Sequence, residues 1–172
     1  MKTEGYIYLY TGNGKGKTTA ALGLALRAAG AGLQVFIAQF VKGMHYSELE
    51  SIRNVPQITI RQYGLDCFIV KEPTEKDILA ARKGLDEITE IIRHNQAGLV
   101  ILDEVCISLH YKLFGLEEII GLLKSKPESM EIVMTGRYAP HELYEYADLI
   151  TEMKKVKHYY TKGIEARKGI EF

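Results

Sequence analysis

Nine consecutive residues, Thr11-Gly-Asn-Gly-Lys-Gly-Lys-Thr-Thr19, constrain this chain more than any other stretch. They follow a short apolar run, Tyr6-Ile-Tyr-Leu-Tyr10, and open a segment of helical composition, Ala20 to Ala29. A strand, a glycine-rich turn ending in Gly-Lys-Thr and a helix together form the context of a phosphate-binding P-loop. Glycines let backbone N–H groups converge on an anion, and the helix N-terminus adds its dipole. Lys17 is expected on phosphate oxygens and the Thr18 hydroxyl on Mg²⁺. The spacing departs from the common one, because Thr11 stands where the first glycine usually falls and glycines then alternate at 12, 14 and 16. The chain therefore reads as a binder of a nucleoside polyphosphate; the bland alternative is a glycine-rich turn without a ligand.

The rest of the chain alternates apolar strand-like runs with longer helical patterns. Strands are expected at Gln34–Phe40, Ile58–Ile60, Gly98–Asp103, Glu131–Thr135 and Leu149–Met153. Helices are expected at Ser47–Arg53, from Pro73–Asp77 to about Asn95, at Leu116–Lys124 and at Pro140–Ala147. In the long third helix Ile78, Leu79, Leu85, Ile88, Ile91 and Ile92 recur at helical spacing. Such alternation predicts an α/β, P-loop NTPase-like (RecA-like), mostly parallel sheet with helices on both faces. At 172 residues it is one domain, and the basic tail from Lys154 to Phe172 is either solvated or folded over the anion site. Charge balances, 22 Lys+Arg against 22 Asp+Glu, which gives no pull toward nucleic acid or an anionic membrane. No run reaches the ~18 apolar residues of a membrane span. The N-terminus reads as free of a signal peptide, and two cysteines without a spaced motif fit a cytoplasmic protein.

Leu99-Val-Ile-Leu-Asp-Glu104 is an apolar run ending in carboxylates. Sites in parallel sheets lie at the carboxyl ends of the strands, so Asp103 and Glu104 are expected near the phosphates, one of them holding Mg²⁺ with Thr18. A helix N-cap pair is the alternative for the same two acids. Gly136-Arg137 follows the next strand, and Arg137 is either a phosphate fork or a surface arginine. Lys42-Gly43 also ends a strand at this edge, whereas periodicity alone makes Arg27 an exposed helix residue. The five histidines lack metal-ligand spacing, and Cys67 and Cys106 read as small hydrophobes. No Ser-His-Asp or Cys-His arrangement stands out, so phosphate positioning and charge stabilisation, not a side-chain nucleophile, are the expected contribution of the protein.

Taken together, Thr11–Ala21, Gln39-Phe-Val-Lys-Gly43, Val100-Ile-Leu-Asp-Glu104, Thr135-Gly-Arg137, Ala147-Asp148, Val156-Lys-His158 and the closing Gly163–Phe172 resemble the ATP:corrinoid adenosyltransferase family, over nearly the whole chain. The resemblance implies that the Co(I) centre of a corrinoid attacks the 5′ carbon of ATP and that tripolyphosphate leaves. It implies ATP as co-substrate with Mg²⁺, or Mn²⁺ in its place, and Lys17, Thr18 and Glu104 as catalytic groups. Gly12, Asn13, Gly14, Lys15, Gly16, Lys17, Thr18, Thr19, Arg27 and Arg137 would hold ATP, and Thr18, Glu104 and Asp103 the metal. Tyr63, Gly64, Leu65, Cys67 and Phe68 would face the corrin. Better-known members carry aromatic residues in this loop where Leu65 and Cys67 stand here. The implied partners are a corrinoid (cobalamin, cobinamide or cobyrinic acid diamide), an electron donor such as a flavoprotein, and a second copy in a homodimer. A small-molecule kinase and a non-catalytic ATP-binding module stay open beside it, because a P-loop binds phosphates alike in all three. Tripolyphosphate, ADP or no product tells them apart.

Overall fold

In a computed structural model, which describes residues 4–65, 69 and 72–172, six strands form a single sheet. They are β1 (Ile7–Thr11), β2 (Val35–Phe40), β3 (Ile58–Tyr63), β4 (Leu99–Asp103), β5 (Glu131–Thr135) and β6 (Leu149–Glu152). Their order across the sheet is β3-β2-β4-β5-β1-β6, and every pair is parallel. Parallel pairing needs a crossover between consecutive strands, and the helices supply it. They are α1 (Lys17–Gly30), α2 (Ser47–Ile52), α3 (Glu75–Arg93), α4 (Val105–His110) and α5 (Leu116–Lys124).

Two cores sit on the two faces of the sheet. On one face Ala21, Ala25 and Ala29 of α1 and Ile52 of α2 pack against Val35, Ile37, Ile101 and Val133. On the other Leu85, Ile88 and Ile92 of α3, with α4 and α5, cover Phe36, Ala38, Val100, Leu102, Ile132 and Met134. Neighbouring residues of each central strand thus alternate between cores, the period-two rule at work in strands buried on both sides. Helix α3 starts where its composition says it should. The Thr74 hydroxyl accepts from the Asp77 amide (3.4 Å) and the Asp77 carboxylate accepts from the Thr74 amide (2.8 Å), a capping box.

Three expectations need correction. The strand expected over 58–60 continues to Tyr63, paired along its whole length with β2. Residues 140–147 do not form an α-helix but one 3₁₀ turn, His141–Glu145. Residues 105–110, left unassigned by periodicity, form α4, whose six residues are too few to show a 3.6-residue repeat.

Candidate active site

Because the sheet is parallel, the carboxyl ends of β1, β2, β4 and β5 converge on one edge, and α1 begins there. The P-loop joins β1 to α1, with Gly12 and Gly16 at φ 99° and 118°, a region that favours glycine. Lys17 opens α1, is 6% exposed, and turns back over the loop to donate to the carbonyls of Gly12 (2.7 Å) and Gly14 (2.8 Å). Thr18 donates through its hydroxyl to Asp103 Oδ1 (2.9 Å).

Asp103, at the end of β4 and 1% exposed, is the hub. Strand β5 lies between β1 and β4, so Thr135 at its end also reaches Asp103 Oδ1 (2.7 Å). On the other side β2 brings Gln39 into register with Asp103, its amide 3.4 Å from Oδ2. The residues after β2 bring Lys42, whose ammonium lies 2.7 Å from Oδ2 and 3.5 Å from the Thr18 hydroxyl. Burial disfavours the Lys42 charge, but the Asp103 carboxylate beside it holds its pKa above the ordinary value.

Glu104 follows with a left-handed backbone, φ 60° and ψ 23°, sparsely populated by non-glycine residues. It stands at the N-cap position of α4, as the capping alternative has it, yet its side chain caps nothing among the described residues. Its amide donates to Thr135 Oγ1 (2.9 Å). Burial, and then the charge of Asp103, push the Glu104 carboxyl above its usual range, while Lys42, Lys17 and Arg137 pull it back. Burial lowers the Lys17 pKa, Glu104 opposes that and Arg137 adds to it. Arg137, exposed at the rim, is thus electrostatically part of the site. Gly136 makes room there, since a Cβ on it would lie 2.7 Å from that of Cys106. Burial and Glu104 push the Cys106 thiol up to about 12, which leaves it no thiolate character.

Lys15, Asn13 and Thr19 lie exposed along the loop and first turn. Arg27 is not brought to this cluster: it lies in the last turn of α1, about 15 Å along the axis from Lys17 by helical rise, and faces solvent. Tyr63 does not face an open edge either. It is 5% exposed, packs on Phe40 and donates to Glu87 Oε2 (2.7 Å). Gly64 and Leu65 do reach the site edge, touching the backbone of Lys42 and Gly43. Cys67 and Phe68 lie outside the described residues. Sequence reasoning placed Lys42 at the edge without giving it a role and missed Thr135 and Gln39. All three lie in the runs Gln39–Gly43 and Thr135–Arg137, at or just past the ends of β2 and β5, and that position was the available signal.

The C-terminal residues cross the loop. The Gly14 amide donates to the Met153 carbonyl (2.6 Å) and the Met153 amide to the Thr11 carbonyl (2.8 Å). Further on, Lys15 donates to Tyr159 (2.9 Å) and pairs with Glu171 (2.7 Å), and Tyr159 donates to Glu171.

Thr18, Asp103 and Glu104 offer only hard oxygen donors, the chemistry Mg²⁺ takes. Among the described residues no three His, Cys, Asp or Glu side chains form a cage.

A loop of backbone donors, a buried lysine and an acidic strand one strand removed from the loop strand define a P-loop nucleotide-binding protein. The same fold is seen in the KaiC-like protein PH0186 of Pyrococcus horikoshii (TM-score 0.57, 16% identity, 90% of this chain and 74% of that one). The chain belongs to the ATP:corrinoid adenosyltransferase BtuR/CobO/CobP family, whose model matches residues 3–172. It is similar to the corrinoid adenosyltransferases of Sinorhizobium (36% identical, 82% of this chain and 68% of the relative), Pseudomonas aeruginosa (33%, 85% and 73%) and Escherichia coli K12 (31%, 85% and 74%). It is accordingly a transferase that moves the adenosyl group of ATP to a corrinoid. Among the described residues no helix is long and apolar enough to cross a membrane.

Proposed function

We propose that the P-loop edge holds the triphosphate of ATP while the Co(I) of a bound corrinoid attacks C5′. The cobalt electron pair forms the Co–C bond, the C5′–O bond breaks, and both bonding electrons leave with tripolyphosphate. The nucleophile belongs to the substrate, so the protein needs no activated serine or cysteine, and Cys106 is buried as a thiol. What it must supply is charge on a strongly anionic leaving group. Lys17 and the loop amides over Gly12–Thr19, apart from that of Gly14, which donates to Met153, serve this role, with Arg137 at the rim. Thr18, Asp103 and Glu104 would hold Mg²⁺, which neutralises phosphate charge when bound. Gly64 and Leu65, at the same edge, would line the corrin side.

The observation that carries this reading is the convergence of Lys17, Thr18, Asp103 and Glu104 on one sheet edge without a nucleophile–base pair among the described residues. The finer expectations are a homodimer and a separate reducing protein that delivers Co(I).

The test is the identity of the phosphate product. With ATP, Mg²⁺ and chemically reduced corrinoid, inorganic tripolyphosphate should appear in equal amount with the adenosylated corrinoid, and neither without Co(I). ADP as product would replace this mechanism with phosphoryl transfer.

A further inference from the structure

The carboxylate at the centre of this site already has a cation. Asp103 is buried, and its other contacts, Thr18, Thr135 and Gln39, are neutral. An isolated carboxylate there would be costly, and Lys42 compensates it. The Lys42 ammonium does so from a particular place: 2.7 Å from Asp103 Oδ2 and 3.5 Å from the Thr18 hydroxyl. These are two of the groups that would take a divalent ion on the reading proposed above. An ammonium and Mg²⁺ at that position would repel each other at contact distance.

We infer that Lys42 is a resident cation that makes metal loading conditional on nucleotide, by holding the Thr18–Asp103 position until the triphosphate gives its ammonium another partner. Lysine suits the part, a compact charge with three donors on a flexible stem. Its side chain is 11% exposed at the site edge, and it follows Val41, whose φ of 49° turns the chain sharply after β2. When phosphate oxygens arrive, Lys42 exchanges Asp103 for phosphate, and the carboxylate becomes free for the metal that the nucleotide brings. Net charge is conserved in the exchange, and Lys42 ends as an added positive charge on the leaving group. Because the described residues offer no three-ligand cage, the metal alone has little to set against the ammonium.

This inference rests on the proposed metal role of Thr18 and Asp103, and Mn²⁺ binding read by electron paramagnetic resonance tests the two separately. Wild-type protein should bind Mn²⁺ weakly alone and tightly with a non-reactive ATP analogue. Thr18→Val should weaken the second; if it does not, the metal reading fails and the inference with it. Lys42→Gln keeps a hydrogen-bond donor for Asp103 but no charge. It should bind Mn²⁺ without nucleotide about tenfold or more tighter than wild type, the scale of one like-charge contact in a partly buried site. Lys42→Arg should show no such gain. If Thr18→Val behaves as expected but Lys42→Gln gains nothing, the inference alone is overturned. Wild-type protein also decides the matter where a variant fails to fold: equal Mn²⁺ affinity with and without the analogue would overturn it.

Discussion

Asp103 carries more of the site than any other side chain, through Thr18, Thr135, Gln39 and Lys42. Its replacement by asparagine leaves the Lys42 ammonium buried without its counter-charge. Loss of one member of a buried ion pair costs roughly 3–5 kcal/mol, so Asp103→Asn should lower unfolding free energy by about that much in urea. The double variant with Lys42→Met should recover a large part of the loss. Additive losses would mean that the two groups are not coupled in solution. Lys17 and Thr18 were legible in the sequence because the phosphate loop is contiguous, each residue fixing its neighbour's place. The contacts of Lys42 and Thr135 with Asp103 were not, although Lys42 was placed at the edge, because they come from β2 and β5 flanking β4. Strand order is a long-range property, and nothing in residues 39–43 or 131–137 states which strand lies beside them.

Elements meet here through glycines with different duties. At Gly14 a Cβ would lie 2.6 Å from the Met153 carbonyl oxygen, and at Gly43 and Gly64 it would strike the backbone of the neighbouring loop. Gly121, on the exposed side of α5, has nothing within 4 Å. Gly14→Ala should therefore push the Met153 segment off the loop, cost roughly 1–3 kcal/mol as overpacking does, and weaken ATP binding by calorimetry. Gly121→Ala should stabilise by about 0.5–1 kcal/mol through helix propensity. Equal behaviour of the two would show that the 14–153 contact is dispensable. The tail carries a pH signature. Hydrogen bonds from Lys15 and then Tyr159 hold the Glu171 carboxyl down at about 2. A depressed carboxyl contributes fully above the unfolded value of about 4.3 and loses its contribution as pH falls toward the folded one. The clasp should persist from neutral pH to about that value and open between there and about pH 2. A Glu171 carboxyl carbon signal titrating near 4.3 would contradict it. Long α3 was readable from its periodicity and its start over Pro73–Asp77, while α4 and the turn at His141–Glu145 are too short to print a period.

In the whole molecule the strand order has one more effect, on how the chain comes into being. Among the described residues strand β1 pairs with β5 and β6, through Ile7 with Ile132 and Tyr8 with Leu149. The β1 segment is thus completed by strands made well after it, and pairing at such separation is slow because loop closure precedes its reward. On the ribosome, synthesis proceeds from the amino end. A growing chain shows its glycine loop before the strand that β1 leans on and before the Met153 carbonyl that the Gly14 amide meets. Nascent chains arrested before Glu131 should not retain a photoreactive ATP analogue, and those arrested with all residues clear of the tunnel should. Birth order would then work as a timer: the enzyme meets its nucleotide only once β5 and the Met153 segment have joined β1 and its loop, and copies that have not reached that point hold no ATP.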